Sequence, residues 1–411
     1  MTVLQVWMHG RLVATIKESR RRMTLTYVEG AARLGVPLIS VAMPMSAHAY
    51  PDKVVRPFFH GLLPEGEARQ MIAYDFGLAA DDDFGLLAQI GRDCAGALVV
   101  LPPGEMSEGE PPAQPLDVLD DSEIGRRLRA LPVHPLGVTG AIRASLSGVQ
   151  PKLLLTRHDG KWCSPDTLHP STHILKPPVV ELEHSVANEA FCMTLASAAG
   201  LVAAATSIGN FDDLTVLLSE RYDRQLDANG TTRRLHQEDT CQALSIMTRV
   251  ARLKYQAFGG PNLRAIAKVL TQWGGSATDL LRYVTFSVLM GNADLHGKNL
   301  SFLHRDDGTV TLAPMYDVMC TTYYDGQQGR RQIDTELGLF IADKTNILTV
   351  TVDDLVAEAQ AWGMQTAAAR NTISSLAAHI AGTIDDTVDK LGFTVPTELI
   401  ERVRERTTHF P

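Results

Sequence analysis

Residues 291–302 read GNADLHGKNLSF, and within six positions they hold an acid, a histidine, a lysine and an asparagine. Asp294 and Asn299 stand in the spacing D-x-x-x-x-N. A carboxylate at such a site can accept the proton of an attacking hydroxyl. An amide oxygen five residues later can help hold Mg²⁺, a hard cation, on phosphate oxygens. That combination suits phosphoryl transfer. The spacing alone is weak, since a polar turn after a helix is the commoner origin of such a pattern. Its neighbours strengthen it. Residues 309–312 alternate as a strand that leads into Tyr316-Asp317-Val318, which puts a second carboxylate where a metal-binding acid belongs. By itself Asp317 reads as a turn cap.

Upstream, SLSGVQPK at 145–152 is a loop of small residues able to present backbone N–H groups to phosphates. It matches neither G-x-G-x-x-G nor G-x-x-x-x-G-K-[ST], so in isolation it is a generic turn. His173-Ile-Leu-Lys176 alternates as a strand, and its lysine can face the same cleft. Such a lysine neutralises phosphates and needs a helical glutamate to hold it. Glu189 is the candidate partner, and an exposed, unpaired Lys176 is the bland alternative. Loop, lysine, helix, hinge strand, D-x-x-x-x-N and terminal acid follow the order of a protein kinase. Order carries more weight than any single element.

Several elements must position these groups. DLLRYVTFSVLM, before the catalytic stretch, is apolar on nearly all faces and reads as a buried helix. The chain opens with VLQVWMHGRLVATI, two strand-like runs around His9-Gly10. A turn and a helical pattern follow in FFHGLLPEGEARQMIAYDFGL. At 102–116, PPGEMSEGEPPAQPL cannot bury apolar surface and reads as a linker or surface loop. A helix is expected at about 183–199, stopped by Gly200. TVLLSERYDR is a strand, and beyond about 238 the pattern is mostly helical. These signals predict an α+β chain. A small β-containing domain at 1–101 and a linker at 102–120 precede a two-lobed kinase-like domain at 121–411. Its β-rich N-lobe spans about 121–222 and its helical C-lobe about 223–411.

The chain has 411 residues and a net charge of −9, which argues against broad electrostatic binding to nucleic acid. Five scattered cysteines form no C-x-x-C pair and fit a reducing cytosol. No secretory signal is visible, and the uncharged stretch from Phe191 to Phe211 reads as a helix end and a buried strand rather than a membrane span. The expected location is the cytoplasm, with no membrane partner.

The stretches FHGLLPEG, IGRDCAGAL, SLSGVQPKLLL, STHILKPP, NEAFCMTLASAAGL, ERYDR, HQEDTCQAL, KYQAFGGPNL, GNADLHGKNLSF and LAPMYDV resemble the HipA family of bacterial serine/threonine kinases, the toxin halves of HipAB toxin–antitoxin systems. The resemblance implies ATP as phosphoryl donor and Mg²⁺ as its metal. It implies Asp294 as proton acceptor, with His296 and Asn299 near the nucleotide, Asp317 (with Asn299) at the metal, and Tyr316 as the nucleotide-side neighbour of Asp317. Lys176 would bind phosphate. Ser147, Gly148, Val149, Gln150, Pro151 and Lys152 would form the phosphate loop, and Glu220, Arg221 and Tyr222 the hinge that meets the adenine. A loop serine is autophosphorylated in this family, and Ser145 matches it. Ser147 is a second serine where the family loop can carry alanine, so it is the alternative.

The resemblance also implies a helix-turn-helix antitoxin like HipB, contact with operator DNA mainly through that antitoxin, an aminoacyl-tRNA synthetase as protein substrate, and growth arrest or persistence as outcome. Two other readings compete: a small-molecule kinase, and a non-catalytic corepressor bound to its antitoxin. Retention of Lys176, Asp294, Asn299 and Asp317 speaks against the corepressor. Gln237-Glu238-Asp239 could grip a substrate hydroxyl, but acids at a helix start are favoured there in any case. Cys94 reads as core, and His9, His48 and His60 lack ligand spacing.

Overall fold

The computed structural model describes residues 2–105, 116–137, 145–166, 169–226, 232–325, 335–408 and 410. Most of the expected linker, 106–115, lies outside the described residues.

The strands Thr2–Met8 and Arg11–Ser19 form an antiparallel hairpin. His9 and Gly10 turn it, both with positive φ (50° and 70°), as a tight hairpin turn requires. Arg22–Tyr27 and Leu98–Leu101 flank the pair in a four-stranded sheet. Leu4, Val6 and Met8 alternate toward one face, where Phe58, Phe59, Leu86 and Leu87 from helices cover them.

The second sheet has six strands in the order Val118–Leu119, Lys161–Cys163, Leu153–His158, His173–Lys176, Leu214–Glu220, Thr206–Phe211. The last residues of the expected linker therefore already belong to the sheet. The run Leu153-Leu154-Leu155 is apolar throughout because both faces are covered. Leu153 and Leu155 pack under the helix Asp121–Arg129, whereas Leu154 joins the core of the N-terminal domain. The helix Ser185–Ala198 packs beside this sheet, and Gly200, with φ 75°, follows its end.

The remaining residues form the larger lobe. Its core gathers the helices Leu263–Gln272, Ala277–Leu289, Val352–Ala361, Thr366–Lys390 and Thr397–Thr408. It is less purely helical than its sequence pattern suggests. Gln237–Asp239, Ser301–His304 and Val310–Leu312 build a three-stranded sheet, and Glu336–Ile341 pairs with Lys344–Asn346. Val310–Leu312 is the strand expected from the alternation at 309–312, whereas the other short strands, separated by polar turns, leave little period-2 signal. Among the described residues no helix is long and apolar enough to cross a membrane.

The N-terminal domain is bonded into both lobes. Asp93 is buried among Arg224 (2.9 Å), Arg234 (3.2 Å) and the hydroxyl of Ser171 (2.6 Å). Glu238 reaches the other way, accepting from Ser40 Oγ (2.6 Å) and Val41 N–H (2.9 Å) and bonding to His304 (2.9 Å).

Candidate active site

A cavity of about 290 Å³ lies between the two lobes, and Gly61, Glu65 and Ala95 of the N-terminal domain supply part of its wall. Lys176 ends its strand inside this cavity, in register with Leu217. Its ammonium lies 2.7 Å from Glu189 Oε1 on the helix Ser185–Ala198 and also pairs with Asp317. Burial works against the charge on Lys176, but the two carboxylates outweigh it and push its pKa up. Burial likewise raises the carboxyl of Asp317, yet Lys176 and Lys152 overcome that and hold it below its usual range. Asp317 has φ 54°, a left-handed conformation that aspartate tolerates better than most residues. Asn188, beside Glu189, bonds both ways with the backbone of Cys320 (2.8 and 3.1 Å), so one helix places both Glu189 and the segment carrying Asp317.

The buried helix Ala277–Leu289 delivers the catalytic stretch as expected from its apolar faces. Its loop is wound on itself. Asn299 Nδ2 donates to the Asp294 carbonyl (3.0 Å), and His296 N–H donates to the same oxygen (2.9 Å). The amide oxygen of Asn299 is thereby left for another partner. The carboxylate of Asp294 is half-exposed and accepts a hydrogen bond from Tyr255 Oη at 2.7 Å. His296 stands 3.9 Å from that carboxylate, and burial pulls its pKa down to about 4, so the ring is neutral at physiological pH.

Ser147, Gly148, Val149, Gln150 and Lys152 all border the cavity, while Pro151 is exposed and lies outside its wall. Gly148 has φ 116°, a backbone conformation that favours glycine, and Lys152 Nζ lies where a Cβ would stand. Lys152 Nζ donates to Ser147 O at 2.8 Å. Burial, reinforced by Lys176, lowers its pKa to about 8 despite the attraction of Asp317. Ser145 is placed differently. It is fully buried, with Oγ donating to Leu62 O (2.6 Å), and it does not line the cavity.

At the hinge, Glu220 ends the strand Leu214–Glu220, and Arg221 and Tyr222 continue from it along the cavity wall. Tyr222 stacks on Tyr316 with ring centroids 5.7 Å apart. The guanidinium of Arg221 departs from the expected nucleotide contact. It is buried against Asp223 (2.9 Å), Ser171 (2.7 Å) and the carbonyl of Cys94 (3.0 Å), so only its backbone is left to face a base. Cys94 is core, its thiol pushed up to about 12 by burial. Asp239 takes the helix-cap role, accepting from Gln242 N–H (2.8 Å), and also pairs with Lys298 (3.1 Å).

The wall fits a metal–polyphosphate ligand. Lys152 and Lys176 are two buried ammonium groups, and an anion beside Lys152 would relieve the burial that lowers its pKa. Asp317 and Asn299 are hard oxygen donors on the same cavity. Among the described residues no group of three or more His, Cys, Asp or Glu side chains is placed to hold a metal ion, so Mg²⁺ would take its other ligands from phosphate and water. No sequence pattern points to Glu65, Lys298, Tyr255 or Asn188. Position alone could signal two of them: Lys298 lies between His296 and Asn299, and Glu65 is the lone acid of FHGLLPEG.

A family model described as HipA-like C-terminal domain matches residues 144–384, and one described as HipA N-terminal domain matches residues 4–101. The chain is 35% identical over 403 residues to a putative kinase, Y4mE, of Sinorhizobium fredii, covering 94% of this chain and 93% of that protein. It is 29% identical over 327 residues to the serine/threonine-protein kinase toxin HipA of Shewanella oneidensis, covering 75% and 73% of the two chains. A chain in the solved complex of Shewanella oneidensis HipA, HipB and operator DNA superposes with a TM-score of 0.82 at 23% identity, over 99% of this chain and 97% of that one. That likeness establishes the fold.

Proposed function

Because this chain belongs to the HipA family of kinases, we propose that it transfers the γ-phosphoryl group of ATP to a serine or threonine of a cytosolic protein. One observation carries the reading: Lys152, Lys176, Asp294, Asn299 and Asp317, far apart in sequence, line one cavity. Lys152 and Lys176 would offset phosphate charge, with Glu189 holding Lys176 in place. Tyr222 and Tyr316 would stand beside the base. Asp294 would orient the attacking hydroxyl and accept its proton as the new P–O bond forms and the bond to ADP breaks. Asp317 and Asn299 would hold Mg²⁺, which when bound neutralises charge on the phosphates.

On the same reading the chain is the toxin of a toxin–antitoxin pair, held by a HipB-like helix-turn-helix protein through which it meets operator DNA. Its target is a translation protein, of which an aminoacyl-tRNA synthetase is the expected class, and its action arrests growth. Loop autophosphorylation at Ser145, or at Ser147, would switch it off. The test is incubation of purified protein with γ-labelled ATP and an extract lacking it, beside Asp294→Asn. A labelled extract protein seen only with the wild type supports the reading. Transfer to a sugar or aminoglycoside with no labelled protein would replace it by a small-molecule kinase.

A further inference from the structure

Glu65 belongs to the N-terminal domain, yet it is 7% exposed and lies in the cavity wall between the two loops that carry the chemistry. It precedes the helix Gly66–Asp75, after a proline that ends the preceding apolar run. Its Oε1 accepts from Ser147 Oγ of the phosphate loop at 2.8 Å and stands 3.5 Å from Lys298 Nζ of the catalytic loop. Its other oxygen, Oε2, is buried without a hydrogen-bond partner among the described residues. Lys298 in turn pairs with Asp239 at 3.1 Å and donates to the carbonyl of Gly61 at 3.3 Å, so it too joins the N-terminal domain to the catalytic stretch.

We propose that Glu65 is a positioning residue for phosphoryl transfer, a latch by which the N-terminal domain holds the phosphate loop against the catalytic loop. The inference rests on the kinase reading above. A carboxylate this buried is costly unless cations compensate it. Burial pushes its pKa up, but Lys298, Lys254 and the Ser147 hydroxyl bring it down to about 2, so the latch is ionised throughout the physiological range. An ionised acceptor holds a hydroxyl more strongly than a neutral one. Beside the attraction between Lys152 and Asp317, the hydrogen bond from Ser147 to this carboxylate ties the phosphate loop through Lys298 to the catalytic loop. The N-terminal domain is therefore part of the active site.

The test compares Glu65→Gln, Ser147→Ala and the double variant in two measurements on the full chain. Hydrogen exchange without ligand should show faster exchange at 145–152 in Glu65→Gln, with protection unchanged across the strands Thr2–Met8 and Arg11–Ser19. Calorimetry with a non-hydrolysable ATP analogue and Mg²⁺ should show affinity reduced on the order of tenfold in each single variant. The double variant should fall little further, because both changes cut one tie. Glu65→Asp, which keeps the charge, should recover part of the loss. Unchanged exchange at 145–152, or losses that add fully in the double variant, overturns the latch and leaves the kinase reading standing. Wild-type protein that binds no nucleotide overturns both. A variant that lost protection over the whole N-terminal domain would make Glu65 a general stability residue, which also overturns the latch.

Discussion

Tyr255 and Asp294 are joined by a hydrogen bond of 2.7 Å from the phenol to one carboxylate oxygen, across 39 residues of sequence. The tyrosine ring also meets the buried imidazole of His296 edge-on, with centroids 5.0 Å apart. The carboxylate proposed as proton acceptor is thus aimed from one side by a residue outside its own loop, with its second oxygen left for a substrate hydroxyl on that reading. Tyr255→Phe removes the bond and keeps the ring. It should lower kcat on the order of tenfold with little change in the KM for ATP, whereas Asp294→Asn should lower kcat on the order of 10²-fold or more. Steady-state kinetics with labelled ATP checks both. An unchanged kcat in Tyr255→Phe would remove the tyrosine from the alignment of Asp294.

Asp317 offers a second test. Its left-handed backbone makes alanine a poor replacement, because strain would mix with the chemistry. Asparagine tolerates that conformation and removes only the charge. Asp317→Asn should leave the thermal midpoint close to wild type while abolishing the Mg²⁺ dependence of nucleotide binding, since a hard cation loses its anionic ligand. Lys176 keeps Glu189 and stays in place. Calorimetry with and without Mg²⁺ decides the matter. Wild-type metal dependence in the variant would exclude Asp317 from the metal site.

Lys152 makes the site sensitive to pH. Its folded pKa of about 8 lies below the ordinary 10.5, mainly through burial. Between those values the unfolded chain holds a proton that the folded chain has given up, so this group adds stability as pH rises through that window. Nucleotide binding has the opposite sign. A polyphosphate beside Lys152 favours the ammonium, so binding takes up a proton above about pH 8 and affinity falls as pH rises. Calorimetry in two buffers of different ionisation enthalpy at about pH 8.5 should register that uptake, and Lys152→Met should lose it. No uptake in wild type would mean that Lys152 does not meet the phosphates.

Much of this site was legible because kinase chemistry leaves residues in a fixed order. Lys176 with Glu189, and Asp294 with Asn299, could be placed from strand alternation and spacing. The contribution of the N-terminal domain could not. Glu65, Ser40 and Asp93 act through contacts that span tens to hundreds of residues, and no local pattern encodes such partners. Arg221 illustrates the converse. Its position in the hinge was readable, but the direction of its side chain depends on Asp223 and on the carbonyl of Cys94 from another domain. Of the small strands in the larger lobe, Val310–Leu312 was legible, while Gln237–Asp239 and Ser301–His304 escaped for a different reason. Glu238 and His304 are polar residues buried in strands because they bond to each other and Glu238 also bonds to the N-terminal domain, and they break the apolar alternation that marks a strand.

The buried position of Ser145 constrains any self-inactivation. Its hydroxyl donates to Leu62 O at 2.6 Å and its N–H to Asp93 O at 3.0 Å, both partners lying in the N-terminal domain. A phosphate there would bring about −1.5 to −2 charges against a carbonyl that needs a donor. The modified loop cannot return to this packing. Phosphorylation at Ser145 therefore requires the loop to leave the N-terminal domain first, and it should keep the loop out, away from the nucleotide. Ser147, on the cavity wall, is the alternative acceptor and would lose its bond to Glu65 on modification. Mass spectrometry should find the phosphate on wild type and not on Asp294→Asn. Limited proteolysis should cut the phosphorylated form within 145–152 at sites protected in the unmodified form, and ATP affinity should fall with it. Phosphorylated protein that bound ATP as tightly as unmodified protein, with the loop still protected, would defeat the switch.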